Sequence, residues 1–347
     1  MGVGKGMGRK RLPGLLIPGL MGLMALPVSA ADLSVTQQSL PAPFAVESLE
    51  SDQDGLAVIG SSRWARLRLD DGKISFENQE EPRASPAQRP GMLPGGSVTL
   101  GSGRIRAAWL NRPTERYRHG VLGDAIEAGG LAVDLADGRS LETVLGPGSV
   151  FEDLAPRLLD VDGNGQSDLV VVRSYLQRGA ALAAFSVGTG GLRLLGQSPP
   201  IGRPNRWLNP IGAGDFDGDG RIELAAVVTP HIGGVLTLYR LEAGLLRPTT
   251  RQRGFSNHAI GSRQLGLAAI LDVNGDSVVD LLVPNDNRRS LRVVSFVRRF
   301  AELARVDHEA QIASAIVVFG SEIDPQPRVA YVLADGTFVV LSFDLTP

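Results

Sequence analysis

Cysteine is absent from the 347 residues. That excludes a disulfide framework, a thiolate metal site, a catalytic thiol and a lipid-bearing cysteine. Aromatic residues make up only 5% of the chain. Histidine occurs four times, as His119, His231, His258 and His308, and never in an H-E-x-x-H spacing. Each is read as an isolated surface or turn residue. There is no G-x-S-x-G elbow and no phosphate-binding P-loop. No N-x-Ser/Thr sequon occurs. A basic surplus is lacking too: 35 basic against 37 acidic residues leave a net charge of −2, which argues against a nucleic-acid partner.

Glycine and proline, by contrast, are abundant, at 43 and 22 residues, and 43% of the chain is hydrophobic. Many turns between short buried segments suit an all-β fold better than long helices. The first thirty residues stand apart. Lys5, Arg9, Lys10 and Arg11 precede an apolar stretch from Leu12 to Pro27, and Val28-Ser29-Ala30 follows as a small-residue cleavage site. This predicts a secretory signal peptide over 1–30 and an exported domain over 31–347, periplasmic or extracellular and bacterial in character. The apolar stretch is too short and too interrupted to span a bilayer, and no later stretch reaches that length, so no membrane insertion is expected after cleavage. Residues 31–347 carry 31 basic and 37 acidic residues, a net of −6.

The acidic excess has an address. One motif occurs three times: Asp160-Val-Asp162-Gly-Asn164-Gly-Gln166-Ser-Asp168-Leu, Asp215-Phe-Asp217-Gly-Asp219-Gly-Arg221-Ile-Glu223-Leu and Asp272-Val-Asn274-Gly-Asp276-Ser277-Val278-Val-Asp280-Leu. The copies start 55 and then 57 positions apart, a period that marks a repeat architecture. A short apolar segment precedes each copy and a β-rich run follows it. Further strand patterns follow at 180–187, 235–241 and 291–296. One unit is therefore about four short strands, with the acidic loop between the first and second. Weaker units are expected at 44–77, 98–145 and 312–343. A four-stranded sheet cannot bury both faces alone, but several packed around an axis can. The prediction is an all-β propeller of six four-stranded blades, or seven if 78–97 hides another. A strand from one terminus would complete the blade of the other.

Loop positions 1, 3, 5 and 9 bear side-chain oxygen in every copy, which suits a hard cation wrapped by a tight turn. The glycines at positions 4 and 6 allow the positive φ such a turn needs. The backbone carbonyl of position 7 (Gln166, Arg221, Val278) would add a ligand. Without His or Cys, zinc and copper are disfavoured, and Mg²⁺ keeps its waters, so Ca²⁺ is expected in up to three sites. An EF-hand needs an acid at position 12 and a helix after it. Val171, Ala226 and Val283 stand there, in apolar β-runs. The loops carry −3, −4 and −3, charge that repels at close range without a cation.

The motif with its following β-run resembles the FG-GAP/VCBS-type repeats of integrin-α-like propellers, most specifically over 157–300. The resemblance implies a propeller with a calcium loop between the first two strands of a blade, and calcium ligands at the loop positions just named. Ser277 departs from the usual glycine at position 6, and Glu223 has a longer arm than the usual Asp. Asp52 and Asp54 form a degenerate loop with too few ligands.

No catalytic constellation is found, so the expected role is a non-catalytic scaffold or adhesion-type module for a protein or glycan. A propeller enzyme acting on a sugar or small molecule at the central channel is the alternative. A cluster of polar side chains with shifted pKa values there would favour it. A lectin would repeat aromatic side chains across blades, and none repeat. Arg203, Arg206 and Trp207, in a long connection, are candidate ligand-binding residues if Trp207 is exposed rather than packed between blades.

Overall fold

A computed structural model describes residues 1–2, 32–70, 72–80, 88–188, 190–320 and 326–346. The chain divides into two units, Met1–Ala31 and Asp32–Pro347. Beyond Met1 and Gly2, the signal-peptide expectation falls outside the described residues.

The second unit is built from strands alone among the described residues. β1 (Asp32–Pro41) comes first. Blade 1 holds β2 (Ser48–Asp52), β3 (Gly55–Ile59), β4 (Trp64–Asp70) and β5 (Lys73–Gln79). Blade 2 holds β6 (Thr99–Leu100), β7 (Ile105–Thr114), β8 (Glu127–Leu135) and β9 (Ser140–Val144). The short β10 (Ser149–Phe151) then pairs with strands of both blade 2 and blade 3. Blade 3 holds β11 (Arg157–Leu159), β12 (Asp168–Tyr175), β13 (Gly179–Gly188) and β14 (Gly191–Gln197). Blade 4 holds β15 (Leu208–Gly214), β16 (Glu223–Val228), β17 (Val235–Glu242) and β18 (Leu245–Arg253). Blade 5 holds β19 (Ala269–Leu271), β20 (Asp280–Pro284), β21 (Ser290–Ser295) and β22 (Ala301–Asp307). Blade 6 holds β23 (Val317–Phe319), β24 (Arg328–Val332) and β25 (Thr337–Thr346), and β1 is its fourth strand. The pairing of β1 with β25 is antiparallel, from Asp32↔Thr346 to Pro41↔Thr337. All pairs within the blades are antiparallel.

Six blades are therefore present among the described residues, as the repeat period predicts. The described part of the suspected seventh, 88–97, contributes only an isolated bridge, Met92↔Asn111. The strands' composition follows from their place in the blade. The second strands β12, β16 and β20 are covered on both faces by neighbouring blades, and their runs are apolar without alternation. The outer strands β5, β9 and β18 have one wet face and alternate exposed with half-buried residues. First strands of adjacent blades touch, β15 against β19 and β19 against β23, which places them innermost. Their approach is tight: a Cβ on Gly212 in β15 would lie 2.6 Å from Cδ1 of Ile270 in β19.

The core is a series of apolar layers between blades. Leu182, Val170, Leu224 and Tyr239 fill the layer between blades 3 and 4. Leu281, Val283, Leu236 and Phe255 fill the next, and Leu291, Val339, Leu341 and Tyr331 join blades 5 and 6. Leu56, Val58, Phe338 and Val340 join blade 6 to blade 1. Leu131, Val133, Leu169 and Phe185 join blades 2 and 3.

Candidate metal loops and the opposite face

All three acidic loops lie between the first and second strands of a blade, β11–β12, β15–β16 and β19–β20. Each folds by the same local rule. The side chain at position 2 points inward as an anchor: Val161, Phe216 and Val273 are buried. The carboxylate at position 1 then gathers the backbone of the turn. Asp160 accepts hydrogen bonds from the N–H of Gly163 (2.9 Å), Asn164 (3.1 Å) and Gly165 (2.8 Å). Asp215 does the same for Gly218, Asp219 and Gly220, and Asp272 for Gly275 and Ser277. Position 9 closes the loop from below: Asp168, Glu223 and Asp280 are buried and each accepts from the N–H of position 2, at 3.2, 3.1 and 3.2 Å. Positions 4 and 6 have positive φ throughout, including Ser277 at +69°.

Two carboxylate triads result, Asp160/Asp162/Asp168 and Asp215/Asp217/Glu223, each offering oxygens within 4.8 Å of one another. The third loop has Asn274 at position 3 and forms no such triad among the described residues. It has instead a buried carboxylate oxygen, Asp280 Oδ1, without a hydrogen-bond partner. A buried oxygen left unsatisfied is costly unless something not supplied by the protein completes it. Burial is the first cause that pushes Asp168 and Asp280 each up to about 6, and the neighbouring loop acids add to it. Loops 1 and 3 thus fit a bound cation, which would remove that repulsion.

Loop 2 differs. Arg240, on β17 directly across the ladder from Glu223, extends its guanidinium over the loop. It meets Asp217 Oδ2 at 3.0 Å and Asp219 Oδ2 at 3.0 Å, and donates through both Nε and Nη2 to Glu223 Oε1. Burial works against the charge on Arg240, but the hydrogen bonds and charge of Glu223, with Asp217 and Asp219, outweigh it and hold the guanidinium pKa above its ordinary value. Blade 1 has the same device in reduced form: Arg66 on β4 meets Oδ1 of Asp52, the last residue of β2 before the turn to β3, at 2.7 Å. The sequence does not reveal either arginine as a loop partner.

The other end of the strands carries a second polar cluster, which corrects the reading of the histidines. His258 is fully buried, and its Nδ1 lies 2.7 Å from Nε2 of His231. His258 Nε2 is 2.9 Å from the carbonyl oxygen of Ser262, which can only accept. His258 therefore donates through Nε2, its Nδ1 accepts from His231, and Nδ1 of His231 keeps its lone pair. His119 Nδ1 lies 2.6 Å from Oε1 of the buried Glu152, whose other oxygen accepts from Ser174. His308 meets the hydroxyl of Tyr331 at 2.7 Å. Burial pushes His231 and His258 down to about 4 each and Glu127, at the start of β8, up to about 10.

Trp207 is part of this cluster and not an exposed anchor. It is buried between blades 3 and 4, stacks on His231 and donates from Nε1 to the Glu152 carbonyl at 2.9 Å. Arg203 is exposed and Arg206 half-buried, bonded to the Asn205 carbonyl, so the three do not converge on a common surface site.

Six four-stranded antiparallel blades, the last completed by a strand from the other end of the domain, define a β-propeller. Residues 160–226 match the model of the FG-GAP-like repeat, a span that takes in the first two acidic loops. The chain folds as a β-propeller, and its residues 160–226 are similar to the FG-GAP-like repeat. No curated protein matches its sequence. Among solved structures, the WD40 domain of coronin from Toxoplasma gondii is similar at 9% identity and a TM-score of 0.46, covering 92% of this chain and 90% of that one. BamB from Moraxella catarrhalis is similar at 14% identity and a TM-score of 0.38, covering 86% of this chain and 74% of that one.

Proposed function

We propose that the protein is an exported, calcium-binding propeller that presents a non-catalytic binding surface to a protein or glycan. The observation that carries this reading is the shared geometry of the acidic loops. Position 1 is spent on organising the backbone, while the acids at positions 3 and 9 of the first loop converge with it on one centre. Calcium bound there supplies charge neutralisation and nothing chemical. The chain's own residues do the rest, holding the ends of the first and second strands of each loop-bearing blade at a set distance. The basic-then-apolar pattern of residues 5–27, followed by Val28-Ser29-Ala30, supports export. The buried cluster on the opposite face also supports a structural role, because His119, Glu152, Ser174 and His258 are bonded to one another or to backbone.

A cation that binds only the folded state raises stability, by about 2.7 kcal/mol per site at a hundredfold excess over Kd. Melting in EDTA and in millimolar CaCl₂ should therefore differ by several degrees, with Mg²⁺ a poor substitute. Identical melts in the two buffers would end the calcium reading.

One observation favours a second reading, an enzyme acting on a sugar or small molecule. Glu127, with its pKa near 10, and the lone pair on His231 are an acid and a base on the same side of the ring. Turnover of a chromogenic ester or glycoside panel, abolished by His231→Gln, would replace the scaffold reading with this one.

A further inference from the structure

The three loops look equivalent in sequence and are not equivalent in structure. In loop 2 every carboxylate is already engaged. Asp215 holds the backbone N–H groups of Gly218, Asp219 and Gly220. Asp217, Asp219 and Glu223 all turn an oxygen to Arg240. Among the described residues no ion pair is made by Asp160, Asp162 or Asp168, nor by Asp272, Asp276 or Asp280. The cross-strand neighbour of position 9 explains the difference. Glu223 pairs with Arg240. One step beyond Leu169↔Phe185 and Leu281↔Val294, the ladders place Ser186 opposite Asp168 and Ser295 opposite Asp280. Serine cannot cross the loop; arginine can.

The longer arm at position 9 belongs to the same arrangement. Glu223 is fully buried, yet it carries its second oxygen to the guanidinium while the first holds the N–H of Phe216 at 3.1 Å. The guanidinium spreads several N–H donors in a plane, which suits carboxylates arriving from different sides. It is tethered to β17, so it does not dissociate. Its side chain is 12% exposed, so water does not compete strongly with its partners.

We infer that the second loop is closed by Arg240 in place of a divalent cation, so that the chain has two exchangeable cation sites, at Asp160–Asp168 and Asp272–Asp280, and not three. This rests on the calcium reading for those two loops and contradicts it for the loop between. Arg66 on Asp52 in blade 1 is a parallel case, an arginine of the third strand meeting an acid beside the turn between the first two strands.

The test is a calcium titration of the full chain by calorimetry, with terbium luminescence as a second count. Wild type binds two ions. Arg240→Ser, which puts the residue of the other ladders in that place, binds three. Two variants count the sites without disturbing the buried pair: Asp162→Ala, which removes the oxygen that Asn274 keeps in the third loop, lowers the wild-type count to one, and Asp217→Ala leaves it at two. Three ions in wild type, or two in both wild type and a folded Arg240→Ser, overturns the inference while leaving the calcium reading intact. A fall to one ion in Asp217→Ala also overturns it. No binding in wild type overturns both, and the melts in EDTA and CaCl₂ then agree.

Discussion

At the scale of single residues, Ser277 is one of seven non-glycine residues with positive φ among the described residues, and it lies in an acidic loop. It occupies the position held by Gly165 and Gly220 in the other loops and shares their left-handed backbone, φ +69° against +79° and +83°. Its N–H donates to Asp272 Oδ2 at 2.9 Å, so the loop cannot relax away from this conformation without losing that bond. A Cβ in the left-handed region costs about 1–2 kcal/mol, while glycine's freer unfolded chain gives back about 0.5–1 kcal/mol. Ser277→Gly should therefore stabilise the protein by up to about 1 kcal/mol in urea unfolding, with the gain present in EDTA. A loss of stability would mean that the serine makes a contact worth more than its strain. The loops were legible at this scale because Asp, Asn and Gly recur at fixed offsets. Arg240 was not. It reaches Glu223 across a ladder whose hairpin differs in length from blade to blade, so no constant spacing ties Asp168 to Ser186, Glu223 to Arg240 and Asp280 to Ser295.

At the scale of elements, the connections opposite the acidic loops set the response to pH. His231 sits in the turn between β16 and β17, and His258 in the connection between β18 and β19. Both are lowered to about 4 in the folded state, first by burial, with Arg288 adding repulsion to each. An unfolded histidine takes up its proton near pH 6.5. Between those values the unfolded chain binds more protons, so stability falls as pH drops from 6.5 towards 4. Glu127 acts in the opposite sense. Its folded pKa of about 10 lies above the unfolded value, so its contribution is complete below about pH 4.5 and is lost as pH rises towards 10. Glu127 opposes the histidines on acidification from pH 7 to pH 5, as do Asp168 and Asp280, so the histidines' share is read as a difference: a folded His231→Gln/His258→Gln protein should have its urea midpoint shifted upward relative to wild type more at pH 5 than at pH 7. An equal change in wild type and double variant would show that the two histidines do not contribute to the pH response. Composition could not announce this cluster. The four histidines are far apart in the chain, and only the packing of connections from successive blades brings His231 to His258. The strands themselves were legible, because those covered on both faces are continuously apolar and the outer ones alternate.

At the scale of the whole molecule, stability depends on closing the circle. No blade buries both faces alone; each apolar layer belongs to two blades. Blade 6 bears on two layers at once, through Leu341 and Val339 towards blade 5 and Phe338 and Val340 towards blade 1. Its outer strand is β1, which lies beside β25 along ten residue pairs and adds Leu33, Val35 and Leu40 to those layers. Removal of residues 32–41 strips this strand and leaves one edge of β25 with unpaired N–H and C=O groups, a template for another chain. Burial of three aliphatic side chains, each only partly covered, is worth about 3 kcal/mol or more, a large fraction of the 5–15 kcal/mol by which domains are stable. The shortened protein should melt well below the full domain and associate as its concentration rises, by light scattering on a sizing column. A synthetic peptide of residues 32–41, added in excess, should restore the monomer, because the ladder it rebuilds is antiparallel and local to one edge. A shortened protein that stays monomeric and melts with the full domain would show that the layers hold blade 6 without β1.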